Sequence, residues 1–155
     1  MAGTETHIGF DDVQTTVGSW SKIASVKSPT NQMTRIKRLV VASNGVSGEA
    51  EALKMRLTRI VKDSGTASAV VAQKTNDGLT VTPQVAGRHT FTANPTEDGT
   101  SPYLAQDKFH PQGGVSHVFE FDNLFVKEGK ELMLEVFTPT GGSAVKLSGH
   151  FACEE

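Results

Sequence analysis

The chain has one cysteine, one tryptophan, one tyrosine and no apolar run of the ~18–20 residues needed to span a bilayer as a helix. Each scarcity excludes something. A lone thiol, Cys153, closes no internal disulfide, and it reads as a small, semi-buried residue. Aromatics at 6% leave few rings for stacking sugars, with Tyr103 the only tyrosine. The polar start, Met1 to Thr6, lacks the basic-then-apolar layout of a secretion signal. These features give the expectation of a soluble protein made in a cytoplasm, with no membrane partner. There is no excess of basic charge either: 15 Lys and Arg stand against 17 Asp and Glu, for a net charge of −2 and a pI near 6.2. That balance argues against an electrostatic grip on nucleic acid, which needs a clustered basic face.

Catalytic signatures are missing as well. No Gly-x-Ser-x-Gly elbow occurs. The pairs Gly113-Gly114 and Gly141-Gly142 lack the Gly-Lys-Ser/Thr ending of a phosphate loop. The five histidines (His7, His89, His110, His117, His150) show no metal-ligand spacing. They read as ordinary structural or surface residues, although His89, His110 and His117 remain open to meeting in three dimensions. The acidic pairs Glu97-Asp98 and Asp122-Asn123 lack the spacing of a calcium loop and read as solvated loops. The expectation is a protein without cofactor or catalysis, one that binds and builds.

What is present is β-forming sequence cut by turns. At 155 residues, 37% hydrophobic and 21% charged, the chain has the size and composition of one globular domain. Its 15 glycines cluster in turn-like groups rather than at a fixed period. Residues 1–12 are polar and read as a flexible N-terminal arm carrying Ile8 and Phe10. Val13–Val26 reads as a strand anchored by Trp20, and Thr34–Ala42 as another. In the second, regular alternation puts Arg35 and Lys37 on one face and Arg38 on the other. Leu39-Val40-Val41 then reads as buried on both faces or as reaching an inter-subunit seam.

Residues 49–62 are ambiguous. Composition favours a helix. The alternation of Leu53, Met55 and Leu57 with Lys54, Arg56 and Thr58 favours a strand, which is preferred because its surroundings are β-like. Short strands follow at 69–73, 79–82 and 89–92. The stretch 103–109 is strand or irregular. Strands follow at 115–121 and 124–126, interrupted at Asn123, then at 131–137 and 144–152. Turns are marked at 63–66, 76–78, 110–114 and 138–142. About eight to ten short antiparallel strands spaced in this way indicate an all-β, jelly-roll-like sandwich, with 13–155 as a single domain.

One ordered set of segments supports a family resemblance. Leu53 to Arg59 is followed by a Ser/Gly/Thr turn. Then come Phe91-Thr92-Ala93-Asn94-Pro95-Thr96 and Phe109-His110-Pro111-Gln112-Gly113-Gly114. Phe119-Glu120-Phe121, Val126, Gly129 and Leu132-Met133-Leu134 follow, and the chain closes with Gly149-His150-Phe151 and Glu154-Glu155. Over roughly residues 35–155 this order resembles small structural proteins encoded among the head genes of tailed bacteriophages, including jelly-roll decoration (cement) proteins. The resemblance implies a virion protein on the capsid surface, assembled in the host cytoplasm. Homotrimers would clamp major capsid protein subunits. It makes Ile8 and Phe10 of the arm, Trp20, Arg35, Lys37, Tyr103 and His110 interface candidates, with loop 94–102 and turn 110–114. A different class of function, a receptor- or glycan-binding sandwich of a phage tail or appendage, stands as the alternative. A cupin-type enzyme is disfavoured by the lack of His-x-His.

Overall fold

The computed structural model describes residues 4–44, 52–75, 82–111 and 115–155. These form eleven strands: β1 (Glu5–Gln14), β2 (Trp20–Lys27), β3 (Thr34–Ser43), β4 (Leu53–Ile60), β5 (Thr66–Val71), β6 (Gln73–Lys74), β7 (Ala86–Ala93), β8 (Tyr103–Phe109), β9 (Ser116–Val126), β10 (Glu131–Phe137) and β11 (Lys146–Glu154). No helix occurs among the described residues. One sheet runs β6-β1-β11-β3-β9, and the other β5-β7-β2-β10-β4-β8. Setting aside β5, β6 and β7, the orders are β1-β11-β3-β9 and β2-β10-β4-β8. Apart from the passage from β4 to β8 that carries the three inserted strands, every step along these eight crosses between sheets. That is the two-sheet wrap of a jelly roll.

Alternation explains the core. In β10, Leu132, Leu134 and Val136 point into the sandwich and meet Ile23, Val26, Leu53 and Leu57 of the same sheet. From the other sheet come Ile8, Ile36, Leu39, Val41, Leu147 and Phe151. Each large side chain fully removed from water here contributes roughly 1.5–3 kcal/mol. Between 52 and 62 the alternating reading prevails over helix propensity. Leu53, Met55 and Leu57 are buried, and β4 lies between β10 and β8, where neighbouring strands satisfy its backbone.

Several expectations are corrected. Residues 5–12 are no arm: they belong to β1, paired with β11 from Glu5↔Glu154 to Gln14↔Lys146. Thr6, Ile8 and Phe10 face inward and are buried, so Ile8 and Phe10 are core residues rather than surface contacts. The polar Asp11-Asp12 pair that suggests fraying sits at a bulge between Phe10 and Val13. There the Asp12 amide donates to Ser148 Oγ (3.0 Å), and the Ser148 hydroxyl donates to Asp11 (2.6 Å). In β3 an irregularity between Ile36 and Arg38 breaks the alternation. Ile36 and Leu39 are both buried, and Lys37 and Arg38 both reach Glu5, at 3.0 and 4.0 Å. Arg38 therefore shares the outer face with Arg35 and Lys37. Of the block 39–41, only Leu39 and Val41 are fully buried; Val40 is half-exposed on the outer face. Asn123 does not end its strand, because β9 continues through it with an irregular register against β3. The turn at 76–78 and all of the 79–82 strand except Thr82 lie outside the described residues, as do Gln112–Gly114.

Two glycines are dictated by geometry. Gly65 takes φ 72° in the turn after β4, and a Cβ there would press on the backbone of Ala93 and Asn94. Gly149 lies so close to the Val40 carbonyl that no side chain fits, which lets β11 sit tightly between β1 and β3.

Candidate functional site

Three surfaces gather the chemistry of this molecule. The first is the outer face of the six-stranded sheet. Glu131, Met133, Glu135 and Phe137 point away from the core, yet the first three are buried under long side chains from neighbouring strands. Two carboxylates organise this layer. Glu135 accepts from Arg56 Nε (2.7 Å) and Thr58 Oγ1 (2.6 Å), with Lys22 Nζ at 3.3 Å. The Arg56 guanidinium is held between the rings of Trp20 and Tyr103, 3.9 and 4.0 Å from their centroids. A planar cation suits such a slot, where an ammonium would not stack. Tyr103 donates its hydroxyl to Glu97 (2.9 Å), and that bond is the main reason its pKa is raised. Trp20 also tilts against Phe137 (5.5 Å). Trp20 and Tyr103, far apart in sequence, thus meet through an arginine that sequence reasoning did not single out.

The second carboxylate, Glu131, is shielded from water. It receives Arg88 Nε (2.8 Å) and Nη2 (3.0 Å), Ser25 Oγ (2.5 Å) and the Asp63 amide (2.8 Å). Arg88 also donates to the Ser64 carbonyl (2.9 Å). These bonds stitch β2, β7, β10 and the 63–65 turn together. The chemistry of this network is structural: it presents no free nucleophile or base.

The second surface is the outer face of the five-stranded sheet. Lys37 donates to Glu5 (3.0 Å), and this bond, with the nearby positive charge, holds the Glu5 carboxyl below its usual range. Arg35 donates to the Asp122 carbonyl (2.9 Å) and lies 3.6 Å from Glu154. Both sequence candidates are thus tied into local ion pairs. His7 on β1 and His150 on β11 stack with ring centroids 4.6 Å apart. Burial, His7 and Arg38 together push the His150 pKa down.

The third surface is a flank where the sandwich does not close. Strands β8 and β9 end their respective sheets, and they face each other without pairing. Ala105 on β8 and Phe119, Phe121 and Leu124 on β9 pack on the core but are only half-buried. Between the strands runs a groove of about 210 Å³, lined by Ala105, Asp107, Val118, Phe119 and Glu120 among others. It is followed by a hollow of about 370 Å³, where Leu104 and Phe125 meet Arg59, Lys127 and Lys130. Nine large apolar or aromatic side chains are exposed among the described residues. Five of them (Tyr103, Leu104, Val115, Val118 at 55% and Phe125 at 45%) lie on or beside these two edge strands; Tyr103 faces outward from the six-stranded sheet, and Val118 and Phe125, opposite Val40 and Arg35, face outward from the five-stranded one.

The remaining sequence candidates fall beside these surfaces. His110 is exposed, and its carbonyl lies 2.8 Å from His117 Nε2. His117 packs on Phe109 (5.1 Å) at one end of the flank. Loop 94–102 is pinned to β4 by Asp98 N→Arg59 O (2.9 Å), Val61 N→Thr96 O (2.8 Å) and Arg59 N→Pro102 O (2.7 Å). Among the described residues no group of three His, Cys, Asp or Glu side chains is placed to hold a metal ion. Cys153 is buried, and desolvation pushes its thiol up to about 12. The edge-strand residues Val118, Phe125 and Leu104 escaped sequence reasoning because strand alternation alone does not reveal which strand ends a sheet. Comparison with protein-family models, with curated proteins and with solved structures finds no match to this chain.

Proposed function

We propose that this protein is a non-enzymatic virion structural protein, a decoration (cement) protein that binds the outer surface of a phage head and stabilises contacts between major capsid subunits. The observation that carries this reading is the unfinished core along the β8/β9 flank. Covering inward-facing rings that remain half-wet gains about 25 cal/mol per Å² of apolar surface, so a second protein surface against this flank is favoured. A jelly roll by itself specifies no activity. The phage-head setting comes from the order of segments between residues 35 and 155. In that setting many copies at symmetric positions, as homotrimers, stabilise a shell through mass action and multivalency without any chemical step.

A receptor- or glycan-binding role is favoured by one feature: a polar hollow of about 250 Å³ beside Trp20, lined also by Phe91, Lys22 and Asn94. Co-sedimentation with expanded phage capsids lacking the protein separates the two. Saturable binding at a copy number matching capsid symmetry is the expected result. Absence of binding to every capsid form refutes the decoration role, and a positive glycan array would then put the hollow first.

A further inference from the structure

The open flank carries its charge unevenly along its length. At one end Asp107 and Glu120 line the groove, with Asp122 following on β9. At the other end the hollow carries Arg59, Lys127 and Lys130, offset by Asp98, which Lys130 contacts at 3.0 Å. Among the described residues none of Glu120, Asp122 and Lys127 takes part in an ion pair. An apolar strip that is acidic at one end and basic at the other is complementary to itself when reversed.

We propose that a second copy of this chain docks on the flank about a two-fold axis perpendicular to β8 and β9. Such an axis sets the acidic end of each copy against the basic end of the other, as an isologous contact requires. With the axis beside Asn123, Glu120 of each copy lies opposite Lys127 of the other. The same contact covers Leu104 and the half-buried Phe119, Phe121 and Leu124, with Val118 and Phe125 at its rim. At ~3.3 Å per residue β9 is roughly 35 Å long, and with side chains from sheets ~10 Å apart the flank is roughly 20 Å wide. That area, on the order of 700 Å² per copy, is near the ~800 Å² per partner of a stable interface. The register breaks in β8 and β9 prevent an unbroken ladder across the contact. The two copies therefore meet through side chains.

This inference rests on the flank being a docking face, as the proposed function holds. It names a pair contact distinct from the trimers that the phage-head resemblance implies.

Sedimentation velocity of the full chain over a micromolar range tests it. The expected result is a reversible dimer that weakens at least about tenfold in Glu120→Lys and in Lys127→Glu, and recovers in the double charge swap. Circular dichroism would confirm that these exposed substitutions leave the fold intact. A monomer or trimer throughout, or a swap that fails to recover, would overturn the two-fold contact. Capsid co-sedimentation of Val118→Arg then separates the two levels. Lost capsid binding with a monomeric parent keeps the flank as a docking face and removes only the second copy. Unchanged binding with a monomeric parent removes both.

Discussion

Replacing Arg88 by methionine should be among the most damaging single changes in this protein. Glu131 is 1% exposed, and both of its oxygens receive Arg88. Methionine keeps much of the arginine stem's volume but leaves a carboxylate with only Ser25 Oγ and the Asp63 amide as donors. Breaking a buried ion pair from one side costs about 3–5 kcal/mol, because the remaining charge has lost both its water and its partner. A domain of this size is stable by about 5–15 kcal/mol, so roughly a fifth or more of its stability is at stake. Glu131→Leu alone should also be costly, since it strands the guanidinium. The double variant should recover most of the loss, because an apolar pair of similar volume removes both desolvation penalties. Urea denaturation of the four proteins in the cycle measures this. A coupling energy below about 0.5 kcal/mol, the scatter expected of independent sites, would show that water already reaches the pair and would refute the reasoning.

Two further outcomes follow from ionisable groups. His150 has a folded pKa below its unfolded value of 6.5, through burial and the nearby His7 and Arg38. The unfolded chain therefore takes up the proton more readily, so stability should be full above about pH 6.5 and fall as pH drops below it. Denaturation midpoints at a series of pH values should show this limb in the parent and lose most of it in His150→Gln. It lies above the range where Glu5 and Asp63, whose pKa values are also lowered, begin to protonate. Cys153 should resist iodoacetamide at neutral pH while folded and react readily in denaturant, because only the thiolate attacks and burial suppresses it; equal labelling in both states would contradict its burial in β11.

The sequence makes legible whatever depends on strict alternation or on turn chemistry. β4 and β10 follow from their alternating apolar residues, and Asp63-Ser64-Gly65 marks a turn whose Asp63 and Gly65 both take positive φ. What is lost depends on bulges and on long-range partners. The irregularity in β3 turns Arg38 to the opposite face from the one that parity assigns, with no residue type to announce it. β1 looks like a loose arm because Asp11 and Asp12 are polar, while the strand that secures it, β11, lies at the other end of the domain sequence. Trp20 and Tyr103 are legible as conspicuous rings. Arg56, which joins them, is one of many charged residues until the sheet brings β2, β4 and β8 together. The acids of β10 carry one signal: Glu131 and Glu135 share the parity of Met133 in a strand flanked on both sides, where a charge requires a partner.

The order of the five-stranded sheet also constrains how the chain is made. β11 lies between β1 and β3, so these two strands cannot be joined until residues 146–154 have been synthesised. Until then one edge of β1 and one edge of β3 wait with unpaired backbone while the ribosome works at about 5–20 residues per second. Assembly of this half of the molecule therefore waits for β11. It runs through contacts of long sequence separation, which are slow to form and open to aggregation while they wait.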